Sequence, residues 1–385
     1  MNPFTFQTCP NIVFAPGASA RIAGIVAETG ARRVLLVTDA GVRGAGLTRG
    51  AEADLAAAGV ALSVFDRVVA DPPAAVVEAA AAQARAEGVD LVLSIGGGSA
   101  LDTAKLVAYL AHTGEALETL YGVDVAKGQR LPLVLVPTTA GTGSEVTPIA
   151  IVTTPSEEKK GVVSRRLLPD WAILDPALTL GLPAPVTAAT GIDAMVHAIE
   201  AYTSRHRKNP VSDQFARQAL GLLSANLRGA CRDGRDLAAR SAMLLGASLA
   251  GMAFANAPVA AVHALAYPIG ALFHVPHGLS NALVLTPVMR FNLPEAAPLY
   301  AELAPILDPT AAGTPVGHAA EMFVAALEAL CRDCGVPASL AAVGIGPGDL
   351  DRLAGDAMKQ TRLLVNNPRE MTLGDARAIY AAALG

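Results

Sequence analysis

Short runs of β-branched and aliphatic residues alternate with alanine-rich segments through the first half of the chain. Four of these runs, RRVLLVTD, VALSVFD, DLVLSIGGGS and LPLVLVPTT, predict buried strands, and the segment Ala74 to Gly88 predicts a helix. Strands that alternate with helices are typical of a parallel sheet covered by crossover helices. The pattern therefore predicts an α/β domain.

The strand pattern ends after the segments LPDWAILDP and GLPAP. From about Val186 onward it predicts helical stretches separated by Gly and Pro. We place the boundary near Leu180, which gives an α/β dinucleotide-binding domain over residues 1–180 and an all-helical domain over residues 181–385. A chain of 385 residues is long enough for two packed domains.

Composition narrows the class of protein. With 52% apolar and only 16% charged residues, the chain is too hydrophobic to be disordered. A net charge of -5 offers no basic surface, which argues against nucleic acid as a partner. The four cysteines do not have the density of a disulfide framework, and the first residues lack a secretory signal pattern, so we expect a cytoplasmic protein. The CxxC of Cys331 and Cys334 we interpret as two thiols at a helix end rather than a zinc site.

One stretch invites a membrane interpretation, since no Asp, Glu, Lys or Arg occurs between Ser241 and Met289. The same stretch contains three histidines and several Asn and Pro residues, which are costly on a lipid-facing helix. We therefore expect buried core helices around a site, and no membrane partner.

Two glycine-rich turns follow predicted strands. The first, Gly96, Gly97, Gly98 and Ser99, leads into a helical segment, where backbone N–H groups and the helix dipole favour the pyrophosphate of a nucleotide. The second contains Thr138, Thr139, Thr142 and Ser144. Such a turn alone also occurs as simple tight-turn chemistry, and the pair strengthens the nucleotide hypothesis because ligands of open α/β sheets bind at the carboxyl ends of the strands.

Asp39 ends the first predicted strand. An acidic residue there can accept hydrogen bonds from ribose hydroxyls and repel a 2'-phosphate, which favours NAD over NADP. The alternative is an ordinary helix-capping aspartate.

Asp193 and His197 are four positions apart in a predicted helix, so both project from one face. His263, His274 and His277 follow in the uncharged stretch, and buried imidazoles there require polar partners. Each histidine alone is more typical of a satisfied core residue. Together, the carboxylate and the imidazoles form a donor set suited to Fe(II) or Zn(II).

The segments GGGSALDTAK, PTTAGTGSEVT, GIDAMVHAIEAY and HALAYPIGALFHVPHGLSNA together resemble the iron-containing, or group III, alcohol dehydrogenases, and the resemblance extends over nearly the whole chain. It implies a dehydroquinate synthase-like architecture, with an α/β dinucleotide-binding domain and a helical metal-binding domain. It also implies an NAD-dependent enzyme, one divalent ion, Fe(II) in preference to Zn(II), and a homodimer.

Site residues follow from the matched motifs. The resemblance implies that Asp193, His197, His263 and His277 bind the metal. The cofactor would be bound by Asp39, Asp71, Gly96, Gly97, Gly98, Ser99, Asp102, Thr138, Thr139, Thr142, Thr147 and Lys160. The segment around Lys160 reads as a loop, and Asp71 stands where many relatives have Asn.

Two positions depart from the family pattern. Tyr267 stands where several relatives have a histidine proposed to help proton transfer, and a phenol, with an ordinary pKa of about 10, is a poorer base at neutral pH. Proton transfer thus has several candidates: Tyr267, His274, a ribose hydroxyl and water. Ile149 stands where a lactaldehyde-reducing relative has a polar amide, so with Phe254 it predicts an apolar substrate pocket; alternatively Ile149 is a strand core residue.

The predicted reaction is hydride transfer between a primary or small secondary alcohol, or the corresponding aldehyde, and nicotinamide. Alternatives within enzymes are a reductase of an oxo-acid such as maleylacetate and a lyase of the dehydroquinate-synthase type. A nucleotide-sensing protein without turnover is the alternative from another class.

Overall fold

The computed structural model describes residues 3–385 and contains two compact units. One unit is Gln7–Leu180, and the other joins residues 3–6 to Gly181–Gly385. No residue pattern near the start of the chain predicts that residues 3–6 pack with Gly181–Gly385.

The unit Gln7–Leu180 is built on a six-stranded parallel sheet with the order β1-β9-β6-β4-β2-β3. A smaller three-stranded sheet, of order β5-β8-β7, pairs β7 with β8 in antiparallel fashion. The strands are β1 (Asn11–Phe14), β2 (Arg33–Val37), β3 (Ala61–Phe65), β4 (Leu91–Gly96), β5 (Gly122–Val123), β6 (Leu133–Pro137), β7 (Ile149–Thr153), β8 (Lys159–Val163) and β9 (Trp171–Leu174).

Five helices belong to this unit: α1 (Ile22–Thr29), α2 (Ala40–Gly44), α3 (Arg49–Ala57), α4 (Ala74–Ala86) and α5 (Gly98–Thr113). The central strands are buried on both faces because successive side chains alternate between two cores. On β2, Leu35 and Val37 pack in the core that includes α4 and α5, whereas Val34 and Leu36 pack in the core that includes α1 and α3. The predicted parallel α/β fold is confirmed.

The unit that contains Gly181–Gly385 is helical. Its helices are α6 (Ala184–Thr203), α7 (Pro210–Arg232), α8 (Leu237–Asn256), α9 (Ala261–Phe273), α10 (His277–Leu307), α11 (Val316–Asp333), α12 (Leu350–Ala357), α13 (Thr361–Leu364) and α14 (Leu373–Leu384). Within residues 3–385, α8 alone is long and apolar enough to cross a membrane, and 72% of its apolar window is buried inside the protein. It is a core helix of this unit, as the uncharged stretch predicted.

Helix α10 differs from the expectation that prolines separate the helical stretches. It runs for 31 residues and contains Pro287, Pro294, Pro298 and Pro305. Each interior proline removes a backbone hydrogen bond and crowds the preceding turn. The helix persists because it packs against α6, α9 and α11, and this burial outweighs the local cost.

Candidate active site

The first glycine-rich turn connects β4 to α5. Gly97 caps α5 without a side-chain hydrogen bond, so the helix presents backbone N–H groups at its start. The turn contacts the second glycine-rich turn closely. A Cβ on Gly98 would lie 2.7 Å from Cγ2 of Thr142, and one on Gly97 would lie 3.6 Å from Oγ1 of Thr139. Glycine is required at Gly98 because any side chain there would collide with the neighbouring turn.

Thr138 joins the two turns through the backbone, since its N–H donates to the carbonyl oxygen of Gly96 at 2.9 Å. The turns therefore lie side by side at the carboxyl ends of β4 and β6, which pair in parallel from Val92↔Leu133 to Gly96↔Pro137. This is the edge at which open α/β sheets bind ligands.

A buried lysine that sequence reasoning missed fixes this arrangement. Lys105 Nζ, with a fully buried side chain, donates to the Ile149 carbonyl oxygen at 2.6 Å, to Ser144 Oγ at 2.7 Å and to Thr147 Oγ1 at 3.1 Å. Asp102 lies 3.4 Å from Nζ. Burial lowers the pKa of Lys105, and the charge of Asp102 opposes that effect.

Asp102 also holds the second turn and the next strand. Its carboxylate accepts a hydrogen bond from Ser144 Oγ at 2.5 Å and one from the N–H of Ile151 at 2.9 Å. The predicted cofactor residues Asp102 and Thr147 thus belong to a network that links α5, the second turn and β7.

Asp39 caps a helix and also faces the first glycine-rich turn. One carboxylate oxygen, Oδ1, caps α2 by accepting from the N–H of Val42 at 2.9 Å. The other, Oδ2, would lie 3.9 Å from a Cβ built on Gly96, so it faces the first glycine-rich turn. The carboxylate therefore lies at the carboxyl edge of the sheet beside the candidate phosphate site.

The segment around Lys160 is strand β8, not a loop as its sequence suggested. Lys160 has an exposed side chain that lies 3.4 Å from Glu158 and 5.7 Å from the ring centre of Tyr121. Its neighbour Lys159 is nearly buried and lies 2.7 Å from the carboxylate of Asp71. Because alternate residues of a strand point to opposite faces, Lys159, not Lys160, shares the side of Asp71.

In the helical unit, four predicted ligands converge. Asp193 and His197 lie on α6, His263 lies on α9 and His277 begins α10. From Asp193 Oδ1, the distances to Nε2 of His263 and His277 are both 3.7 Å, and the distance to Nε2 of His197 is 3.9 Å. The Nε2 atoms of His197 and His263 are 3.0 Å apart.

These separations fit one metal ion. Ligands at about 2.1 Å from a tetrahedral ion lie about 3.4 Å from one another. The ligand atoms of Asp193, His263 and His277 all lie within 4.8 Å of one another, and His197 adds an Nε2 atom 3.0 Å from that of His263. Three imidazole nitrogens and one carboxylate oxygen also form the donor set that Fe(II) and Zn(II) accept.

Electrostatics keep the carboxylate of this cluster ionised. Burial alone would raise the pKa of Asp193, but His197, His277 and His263, with a hydrogen bond from Asn281, hold that pKa below its ordinary value. Asn281 Nδ2 lies 2.6 Å from Asp193 Oδ1 and 3.3 Å from Nε2 of both His263 and His277. Asn281 was not predicted, although it lies one helical turn after His277.

Three further predicted residues take different positions. Phe254 stacks on His197 with ring centres 4.2 Å apart and planes at 17°, and the ring of Tyr267 lies 5.9 Å from that of His277. Both therefore border the cluster. His274 is exposed at the end of α9 with a φ of 55°, and within residues 3–385 its ring has no hydrogen bond or ring contact with the four ligands. The structure does not bring His274 into the cluster.

Comparisons with known proteins identify the family of this chain. Residues 9–176 match the family described as iron-containing alcohol dehydrogenase, and residues 187–384 match the C-terminal part of the Fe-containing alcohol dehydrogenase family. The chain is 42% identical over 382 residues to long-chain-alcohol dehydrogenase 1 of Geobacillus thermodenitrificans, covering 97% of this chain and 96% of the relative.

Solved structures of similar fold are also known. A 1,3-propanediol oxidoreductase superposes with a TM-score of 0.96 at 36% identity, covering 100% of both chains. The sulfoacetaldehyde reductase of Bifidobacterium kashiwanohense, solved in complex with NAD+, superposes with a TM-score of 0.89 at 27% identity, covering 100% of this chain and 99% of the other. Because both halves of the chain match this family and a relative 42% identical aligns with 97% of it, the chain belongs to the iron-containing alcohol dehydrogenase family of oxidoreductases.

Proposed function

We propose that this alcohol dehydrogenase uses NAD and one divalent metal ion to transfer a hydride between nicotinamide and a primary or small secondary alcohol. The observation that carries the proposal is the convergence of three imidazole Nε2 atoms within 3.9 Å of the Asp193 carboxylate. We expect Fe(II) in preference to Zn(II), in keeping with the family. An ion held by these side chains would act as a Lewis acid that lowers the pKa of the alcohol hydroxyl.

Residues of the chain would bind and orient the NAD cofactor. The N–H groups at the start of α5 and the glycines Gly96 to Gly98 would bind the pyrophosphate of NAD. Asp39 would accept hydrogen bonds from the adenosine ribose hydroxyls. Asp71, paired with Lys159, would contact the cofactor with its carboxylate held by the ion pair. Together these contacts fix the cofactor and so orient the nicotinamide for hydride transfer.

Apolar side chains in each unit support an uncharged substrate. In the helical unit, Phe254 presents an apolar ring against His197. In the α/β unit, Ile149 lies half-buried at the start of β7. The stretch from Ser241 to Met289 contains no Lys or Arg that could pair with an oxo-acid or a phosphorylated substrate. We therefore expect alkyl alcohols and diols, such as those named for the long-chain-alcohol dehydrogenase and the propanediol oxidoreductase, to react better than acids.

The decisive experiment measures NADH formation with ethanol, 1-butanol, 1-octanol and 1,3-propanediol, on protein stripped of metal and reloaded separately with Fe(II) and Zn(II). We expect activity only after reloading. His277→Ala should abolish turnover while the protein stays folded, whereas His318→Ala, which changes an exposed histidine of α11, should leave turnover unchanged. Full activity after exhaustive chelation, with metal analysis showing an empty site, contradicts the proposal.

We also propose a homodimer, from the family resemblance, and a cytoplasmic location, from the low cysteine content. The candidates for proton release are Tyr267, His274, a ribose hydroxyl and water. Sedimentation of the purified protein tests the dimer directly.

A further inference from the structure

Glu200 is a buried carboxylate that the proposed chemistry leaves unused. It lies on α6 and is only 2% exposed. Its Oε2 atom lies 2.7 Å from Nδ1 of His263 and accepts a hydrogen bond from the N–H of Ala260 at 2.9 Å. Its Oε1 atom accepts one from the N–H of Val262 at 2.7 Å. Three donors therefore converge on one carboxylate in a water-excluded place.

The bond to His263 determines which ring nitrogen carries the proton. Both carboxylate oxygens of Glu200 already accept backbone N–H bonds, an arrangement in which Nδ1 of His263 donates to Oε2. In a neutral imidazole the other nitrogen, Nε2, then has a free lone pair. Nε2 is the atom that lies 3.0 Å from His197 Nε2 and 3.7 Å from Asp193 Oδ1. Glu200 thus directs the ligand lone pair of His263 toward the cluster.

The two backbone bonds fix the position of the same ring. Helix α9 begins at Ala261, and no side chain of its own caps its first turn. The N–H groups of Ala260 and Val262 donate to Glu200 instead, which ties the start of α9 to α6. Because His263 is the third residue of α9, this tie also sets where its ring lies relative to Asp193 and His197.

We propose that Glu200 is a positioning residue of the metal site, which holds His263 in its Nδ1–H tautomer and attaches its helix to the one that supplies Asp193 and His197. Partners of this kind orient metal-binding histidines and raise their basicity. The inference rests on the proposed metal function of the cluster.

The test uses Glu200→Gln on the full chain. A glutamine cannot reproduce both acceptor oxygens, so its NH₂ must face either the ring and Ala260 or the N–H of Val262. We expect Zn(II) affinity, measured by competition with a chelating indicator, to fall by about 10-fold to 100-fold. In the metal-free protein, ¹⁵N NMR of labelled histidine should show a reduced Nδ1–H population for His263, with the signal assigned by its loss in His263→Gln.

A matched control is Glu302→Gln. It removes a carboxylate of α10 that accepts a hydrogen bond from the hydroxyl of Tyr202, and Tyr202 lies on α6, the helix of Glu200. We expect unchanged Zn(II) affinity there. If Glu200→Gln lowers only the melting temperature of the metal-free protein while Zn(II) affinity stays within twofold of the unaltered protein, Glu200 is structural and the inference is wrong.

Should Glu200→Gln not fold, Glu200→Asp takes its place, since it keeps the charge but withdraws it by one methylene. Weakened Zn(II) binding by this variant supports the inference, and unchanged binding overturns it. An unaltered protein that binds no Zn(II) or Fe(II) would instead contradict the proposed function. The NMR spectrum of the metal-free protein would still test the tautomer, so the two failures are distinguishable.

Discussion

Gly278 lies directly against the backbone of Ala189. A Cβ built on Gly278 would lie 2.5 Å from the carbonyl oxygen of Ala189 and 3.3 Å from Cβ of Asp193. The first turn of α10 therefore touches α6, and this contact brings His277 beside Asp193. A side chain at Gly278 would have to separate the two helices, because the atoms it meets include rigid backbone.

We predict that Gly278→Ala weakens both the fold and the cluster. Overpacking of this kind costs about 1–3 kcal/mol of the free energy of unfolding, and the displaced His277 should lower Zn(II) affinity. Urea denaturation and chelator competition measure the two effects. Gly317→Ala on α11 is the control, since a Cβ there meets nothing within 4 Å. Equal behaviour of the two variants would show that the close contact has no consequence.

Lys105 holds the second glycine-rich turn through its buried hydrogen bonds, and its replacement tests that contact. Lys105→Met removes the ammonium group from a fully buried network and leaves Asp102 without its cationic partner. We expect a loss of about 3–5 kcal/mol in the free energy of unfolding, together with weaker NAD binding. Lys160→Met changes an exposed lysine and should lower the free energy of unfolding only slightly. Calorimetry of both variants checks this, and a Lys105→Met protein as stable as the unaltered one would contradict it.

The central strands could be predicted because each is a short apolar run followed by a turn. Strand β1 could not, since its four residues are mostly exposed and it exists only by pairing with β9 far along the chain. The face of β8 on which Lys159 and Lys160 lie could not be predicted either. Side chains alternate between the two faces of a strand, so their faces follow only once the strand itself is known.

The four ligands could be predicted because two lie on one face of a helix and two lie in an uncharged stretch. The buried imidazoles were expected to have polar partners, but Glu200 was not predicted, because its contact with His263 spans 63 positions. A signal was nonetheless present. Asp193, His197 and Glu200 have the spacing i, i+4 and i+7, which places all three on one face of α6.

The cysteines provide a prediction about reactivity. All four are free, and Cys334, predicted at a helix end beside Cys331, forms its thiol contact with Cys231 instead. That contact lowers the pKa of Cys231, while burial raises the pKa of Cys9 and of Cys331 to about 12.

Since the thiolate is the reactive form, we expect iodoacetamide at pH 8 to modify Cys231 first, at a rate that increases with pH, and to leave Cys9 and Cys331 unmodified until the protein unfolds. Peptide mass spectrometry of the folded and denatured protein gives the order. The fast phase should disappear in Cys231→Ser. Modification of Cys9 before Cys231 in the folded protein would refute the assignment.

Asp39 offers a clean test of cofactor choice. Asp39→Asn keeps an oxygen that can cap α2 through the N–H of Val42 but removes the charge. Two like charges about 4 Å apart repel by about 4 kcal/mol at an effective dielectric constant of 20. Because about 1.4 kcal/mol corresponds to tenfold, we expect the catalytic efficiency with NADP to rise at least about 10-fold, with little change in stability.

The control for this change is Asp66→Asn, which removes a nearby exposed carboxylate that pairs with Arg43 at 2.7 Å and alters the net charge equally. It should leave cofactor choice unchanged. Equal efficiency of the unaltered protein with NAD and NADP would contradict the role given to Asp39.

Tyr267 lies one turn of α9 after His263, and its ring is tilted by 51° against that of His277. If the phenol relays the proton, Tyr267→Phe should lower turnover by about 10²-fold to 10⁴-fold. We predict instead that it shapes the pocket, because an alcohol activated by a Lewis acid can release its proton to water or a ribose hydroxyl.

The loss of turnover in Tyr267→Phe should then be less than about tenfold, and it should vary with the size of the alcohol. Tyr300→Phe is the control for loss of a phenol oxygen elsewhere. It removes the hydroxyl of a fully buried tyrosine on α10. The pH profile of turnover separates the two roles, since a relay contributes an inflection that its removal abolishes, whereas a pocket wall contributes none. We expect every inflection to persist in Tyr267→Phe with both ethanol and 1-octanol. The disappearance of one inflection with both alcohols would show that the phenol carries the proton.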